Sequence, residues 1–212
     1  MNIEKHLKEL EELFGGYHTN IKRNKISELM SQDTKLNPAG MTGGDRMSRH
    51  GYAKYYANHL GRFIEKRLEP FVILECGILK GTGLALWSKL FPNATIIGLD
   101  IDLSHAKNNL EFLKSKGAFV NGKLELYEFD QFKKNKNLLA GILKSRKVDI
   151  VIDDGFHSEE TITNTLNDVI PFLNKDFVYF IEDNRTVHTK LIKEYTQYKV
   201  SKYKKFVVID NE

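Results

Sequence analysis

The chain has 212 residues and a formal net charge of +4, with 41% of its residues apolar and 28% charged. Those proportions suit one soluble domain large enough to bury a core. They exclude several classes. The lysines are scattered rather than gathered into a nucleic-acid footprint, and no apolar run nears the ~20 residues of a membrane span.

The charged, periodic start "MNIEKHLKELEELF" is not a secretory signal, and the one cysteine, Cys76, lies in an apolar run. A buried free thiol in a reducing, cytoplasmic setting is the expectation. The spacing of Ile3, Leu7, Leu10 and Phe14 predicts an amphipathic helix, broken by "GGYHTN". A shorter helix is expected in "IKRNKISELM". The following "SQDTKLNPAGMTGGDRMSRHG" has no period. Loops of that length inside a domain are usually functional or disordered. It reads as a lid ordered on binding, whose Arg46 and Arg49 could meet a substrate phosphate. From residue 52 to 68 the helical period returns, placing Tyr52, Tyr56, Leu60, Phe63, Ile64 and Leu68 on one face.

After Pro70 the pattern changes. "FVILEC", "TIIGLD", "KLELYEFD", "VDIVIDD" and "FVYFIED" are short β-branched or apolar runs separated by helical or polar stretches. Strands alternating with helices predict a parallel sheet covered on both faces. The tail "YKVSKYKKFVVIDNE" predicts two closing antiparallel strands. The expectation is one α/β domain over residues 1–212: a helical extension with the lid loop to residue 69, then a Rossmann-like doubly wound core. His6, His18, His59 and His188 fall on the surface in this reading, and His105 near the cofactor end.

Ligands of such sheets bind beyond the carboxyl ends of the strands. Each of the five core strands ends in a carboxylate: Glu75, Asp100, Asp130, Asp153 with Asp154, and Glu182 with Asp183. The first strand leads into "LECGILKGTG", whose glycines let a ligand approach the backbone. Ile78, Leu79 and Lys80 separate its first two glycines, which departs from the dinucleotide fingerprint. Asp100, with Asp102 as the alternative, is placed to accept from ribose hydroxyls. A nucleoside cofactor without a pyrophosphate grip fits both features.

If "DIVIDD" and "FVYFIED" are parallel neighbours, their ends lie ~4.8 Å apart. Asp154, Glu182 and Asp183 then form an all-oxygen cluster suited to Mg²⁺ or Mn²⁺. His157, three residues after Asp154, would be a general base, although an aspartate could take that role. A capped turn with a solvated histidine is the plainer alternative for "DDGFH". Asp153 reads as structural, capping the next helix in competition with Ser158.

"ILECGILKGTG", "IIGLDID", "YEFDQF", "IDDGFH" and "FIEDN", in that order, resemble the class I S-adenosylmethionine-dependent methyltransferases. They are most similar to the metal-dependent sugar O-methyltransferases of macrolide tailoring and of bacterial surface-polysaccharide clusters. The likeness runs from about residue 50 to the end and takes in "HGYAKYYANHL". It implies a seven-stranded sheet whose last strand is antiparallel. It implies S-adenosylmethionine as cofactor, with Glu75, Gly77 and Gly81 near its methionine part, Asp100 on the ribose, and Asp130 with Gln131 flanking the adenine. Arg49 and His50 could close over the cofactor carboxylate or the substrate. The same likeness puts the metal on Asp154, Glu182 and Asp183, with His157 as base. The substrate expected is a sugar hydroxyl, on a nucleotide-activated sugar for capsule or lipopolysaccharide synthesis. The alternatives are a small catechol-like or natural-product metabolite, and a non-catalytic nucleotide-binding module. No nucleic-acid partner or membrane insertion is expected, and a homo-oligomer is compatible with the N-terminal helices.

Overall fold

The computed structural model describes residues 1–29 and 41–211. Helix α1 (Ile3–Leu13) starts at Asn2, whose side chain accepts from the Lys5 amide, and buries Leu7 and Leu10. A small antiparallel pair follows, β1 (His18–Ile21) and β2 (Met41–Gly43). Helix α2 (Ala53–Glu65) buries Tyr56, Leu60 and Phe63. The predicted face packs through Ile64, whereas Leu68 lies beyond the helix and is 64% exposed.

The core then alternates as expected. Strands β3 (Val72–Cys76), β4 (Thr95–Asp100), β5 (Lys123–Glu128), β6 (Val148–Asp153) and β7 (Leu173–Ile181) are separated by helices α3 (Thr82–Leu90), α4 (Ser104–Ser115), α5 (Lys136–Leu143) and α6 (Glu159–Val169). Helix α7 (Val187–Glu194) leads to the hairpin β8 (Lys199–Tyr203) and β9 (Phe206–Asp210). The sheet order is β5-β4-β3-β6-β7-β9-β8, and β9 runs antiparallel to both its neighbours. This is the seven-stranded, mostly parallel sheet that the sequence predicts.

Period-two alternation sorts the side chains between two cores. Ile73, Ile150 and Phe180 face α1 to α4, while Leu74, Val151 and Tyr179 face α5 to α7. Chain order runs outward from β3 to β5, then returns to β6 on the other side. The β3–β6 boundary is therefore the switch point where a crevice opens. Among the described residues no helix is long and apolar enough to cross a membrane.

Two N-terminal expectations fail. "IKRNKISELM" is not a helix over its described residues: its start belongs to β1, and residues 22–27 continue with no helical hydrogen bonds. It has no apolar stripe to bury, with Ile26 54% exposed, whereas its polar side chains find acids at the sheet edge. His59 is not a surface residue. Its Nδ1 lies 3.1 Å from Asp210 and its Nε2 lies 2.9 Å from the Tyr203 hydroxyl, tying α2 to the hairpin. The expected lid falls partly outside the described residues, and its part from Met41 to His50 is folded against the domain.

Candidate active site

A cavity of about 360 Å³ lies along the carboxyl edge of the sheet, from Asp130 at one end to Asp154 and Asp183 at the other. That size is in the range of small-molecule sites. The β3–α3 turn shapes its middle. Gly77 adopts φ +83°, and a Cβ there would stand 2.1 Å from the Asp154 carbonyl oxygen, so only glycine lets β3 and β6 close at this point. Gly83 also lines the cavity, whereas Gly81 turns toward Leu113 and Ala106 of α4.

Glu75 is buried, and burial pushes its carboxyl up from the ordinary value while Arg46 pulls it down. Trp87 Nε1 donates to it at 2.8 Å. Asp100 accepts from the amides of Ile78 (2.8 Å), Leu79 (3.1 Å) and Asp102 (3.0 Å), and pairs with Arg23. Asp102 accepts from the Asn24 amide and from Ser104. Asp130 accepts from Ser27 Oγ at 2.7 Å. Gln131 is spent on the fold: Nε2 donates to Asp153 and Thr165, and Oε1 accepts from Phe156 N. Phe132 and Phe156, at 4.7 Å between ring centroids, supply an apolar wall beside it.

At the other end, Asp154, His157 and Asp183 each offer one ligand atom within 4.8 Å of the others. His157 holds φ +66°, uncommon for a residue with a Cβ, and its buried Nδ1 has no hydrogen-bond partner among the described residues. Burial pushes Asp183 up, but hydrogen bonds from Lys205 and Tyr52 outweigh it and leave the carboxyl below its ordinary range. His50 stands between Asp45 (3.3 Å) and Asp183 (3.5 Å). Arg49 lies over the Tyr17 ring instead, 4.2 Å from its centroid.

Glu182 is arranged differently. Its carboxylate takes Arg46 Nε at 2.7 Å and the Tyr56 hydroxyl, and burial drives its pKa well above the ordinary value. Arg46 also reaches Glu75 and Asp154, each at 2.8 Å. The sequence pattern places Arg46 in a lid, where it could meet a substrate phosphate. It is instead the buried cation inside the acid cluster, held there because Glu11 of α1 accepts the amides of Met47 and Ser48. The acids at this end therefore have basic partners, Arg46 on Glu75, Asp154 and Glu182, and Lys205 on Asp183. Tyr52 and Tyr56, on the predicted apolar face, also carry hydroxyls that reach Asp183 and Glu182.

Asp153 does not cap α6. Ser158 does so, accepting from Thr161 N at 3.1 Å. Asp153 is buried under Gln131 and Tyr179, and burial raises its carboxyl to about 6.

No protein-family model matches this chain, and no curated protein matches it. Solved structures do. The MycE methyltransferase of the mycinamycin biosynthetic pathway, in complex with Mg and SAH, superposes with a TM-score of 0.59 at 20% identity, covering 75% of this chain and 49% of MycE. MycE bound to Mg, SAH and mycinamycin VI gives 0.57 at 21% identity, covering 75% and 48%. TomG, an O-methyltransferase from Streptomyces achromogenes involved in tomaymycin synthesis and solved with SAM, gives 0.53 at 13%, covering 71% and 77%. The chain spans about half the length of MycE. Its fold is that of the class I S-adenosylmethionine-dependent methyltransferases.

Proposed function

We propose that the protein is an S-adenosylmethionine- and divalent-metal-dependent O-methyltransferase acting on a sugar hydroxyl, carried as a nucleotide-activated sugar. One observation carries the reading. A single cavity joins acids suited to a nucleoside, Asp100 and Asp130, to a metal-competent cluster at Asp154, His157 and Asp183. MycE, solved with Mg, SAH and mycinamycin VI, supports the pairing of a metal with this cofactor on this fold.

The donor set fits a hard divalent cation. Asp154 and Asp183 line the cavity beside His157, and their carboxylate oxygens are the ligands that such an ion takes. Asp154 and Asp183 would hold it. Glu182 joins them in the reading from sequence, and His157 offers the nearer free atom. When bound, the ion orients vicinal hydroxyls and makes the reacting one more acidic. Glu75 faces the cofactor's ammonium end, Asp100 its ribose, and the Phe132–Phe156 wall its adenine. A His157 that ligates the ion cannot also take the proton from the sugar hydroxyl, so the two roles separate by experiment.

Calorimetry with S-adenosylmethionine, then with nucleotide sugars with and without Mg²⁺, tests the reading. Cofactor binding together with metal-dependent sugar binding that Asp154→Ala abolishes is the expected result. No cofactor binding would overturn it.

A further inference from the structure

Residues 22–27 form a strap across the carboxyl ends of β4 and β5, and its polar groups meet the acids there one after another. Arg23 Nη1 pairs with Asp100 Oδ1. The Asn24 amide donates to Asp102 Oδ2 at 2.6 Å, Lys25 pairs with Glu128, and Ser27 Oγ donates to Asp130 Oδ2 at 2.7 Å.

An ionised carboxylate offers about four acceptor positions. At Asp100 all are taken: Oδ2 accepts from the Ile78 and Leu79 amides, and Oδ1 from the Asp102 amide and Arg23. Three of these donors are backbone groups fixed by the β3–α3 and β4–α4 turns. Arg23 alone can leave without moving the sheet. A ribose hydroxyl finds an acceptor on Asp100 only where Arg23 now sits. Asp130 is less crowded: Oδ1 accepts from Phe132 N at 3.1 Å, and Oδ2 accepts from the Ser27 hydroxyl with Lys133 Nζ 3.7 Å away.

The strap is also built to detach. Asn24, Lys25 and Ile26 are exposed, so no buried apolar side chain anchors this stretch, and its attachment is polar. The segment carrying Arg46 contrasts with it, since Met47 there is fully buried and Glu11 holds the backbone.

We infer that the 22–27 strap is an intramolecular competitor for the adenosine half of the cofactor site. Arg23 and Ser27 occupy acceptors that the nucleoside needs, and the cofactor enters as the strap leaves. The inference rests on the methyltransferase reading above.

The test measures S-adenosylhomocysteine binding to wild type, Arg23→Ala and Ser27→Ala by calorimetry. Stopped-flow fluorescence of Trp87, the one tryptophan, follows the kinetics. Arg23→Ala is expected to bind about tenfold tighter, as removal of one competing charged hydrogen bond implies. Ser27→Ala, which deletes one hydroxyl and should leave the fold intact, is expected to gain about threefold. The observed rate for wild type should level off with ligand concentration where strap opening limits binding, and rise linearly for Arg23→Ala. Weaker binding in both variants would show that the strap closes over the cofactor and adds to its site, overturning the inference. Unchanged affinity and rates would overturn it too. Binding by Arg23→Ala with none by wild type would support it strongly. If neither wild type nor variants bind, the methyltransferase reading falls, and the inference with it.

Discussion

Arg46 and Glu182 meet beneath the carboxyl edge of the sheet with Nε 2.7 Å from Oε1, both nearly sealed from water. They come from opposite ends of the chain, and the same guanidinium holds Glu75 and Asp154. A charge buried this way is costly to strand. Arg46→Met is expected to lose about 3–5 kcal/mol, because it leaves three acids without their cation. Arg46→Met/Glu182→Gln should recover part of that loss by removing one stranded charge. Urea unfolding of the wild type, both single variants and the double variant completes the cycle. Additive losses would mean that the pair is not coupled.

The metal reading makes a graded forecast. Asp154→Asn and Asp183→Asn should each weaken Mn²⁺ binding at least tenfold, no less than the loss of a partner that only orients a ligand. Glu182→Gln should weaken it less than threefold, since that carboxylate faces Arg46 and Tyr56. His157→Gln decides between roles. Lower Mn²⁺ affinity marks a ligand, whereas unchanged affinity with kcat reduced by about 10²–10⁴ marks the base. Calorimetry of the metal and steady-state kinetics provide both readouts.

Gly83 stands in the first turn of α3, where helix propensity alone would favour alanine by about 1 kcal/mol. A Cβ there would fall 2.2 Å from Glu75 Oε1 and 2.7 Å from Arg46 Nη1. Both groups are locked by ion pairs, so neither can yield freely. Gly83→Ala should therefore reverse the propensity sign, costing about 1–3 kcal/mol. It should also weaken S-adenosylhomocysteine binding. A variant as stable as wild type in thermal melts would show that the cluster relaxes at little cost.

At the β5 edge, hydrogen bonds from Arg146 to Glu125 lower that carboxyl from 4.5 to about 2. The bonds are 2.8 and 2.9 Å, in a bidentate arrangement. A pKa depressed in the folded state contributes stability above the unfolded value, and that stability is lost as pH falls from 4.5 toward 2. After allowance for solvent screening the contribution is about 1–2 kcal/mol. Glu125→Gln should be less stable than wild type by that amount at pH 7, and the gap should close by pH 2. Chemical denaturation at both values checks this. A gap that persists in acid would assign the effect to packing instead.

Much of this molecule is readable along the chain. The runs ending at Cys76, Asp100, Asp153 and Ile181 are strands of the sheet, and the periods in α1 and α2 name the faces that pack. Such patterns are local, and strand and helix burial repeats every two or 3.6 residues. The pairing of β6 with β7, a condition of the reading from sequence, is met in the sheet, and it brings Asp154 and Asp183 together.

What only the tertiary structure decided is how the acids are partnered. Arg46 reaches Asp154 across 108 positions, and Arg23 reaches Asp100 across 77. Gln131 spends its amide within the fold, and His59 links α2 to Asp210 rather than facing water. Side chains this far apart share no period, so no local pattern announces their pairing. The strap at residues 22–27 has a weakly helical sequence and no apolar face to bury. Its conformation was therefore settled by the carboxylates it could pair with, which lie on other strands and meet only once the sheet has formed.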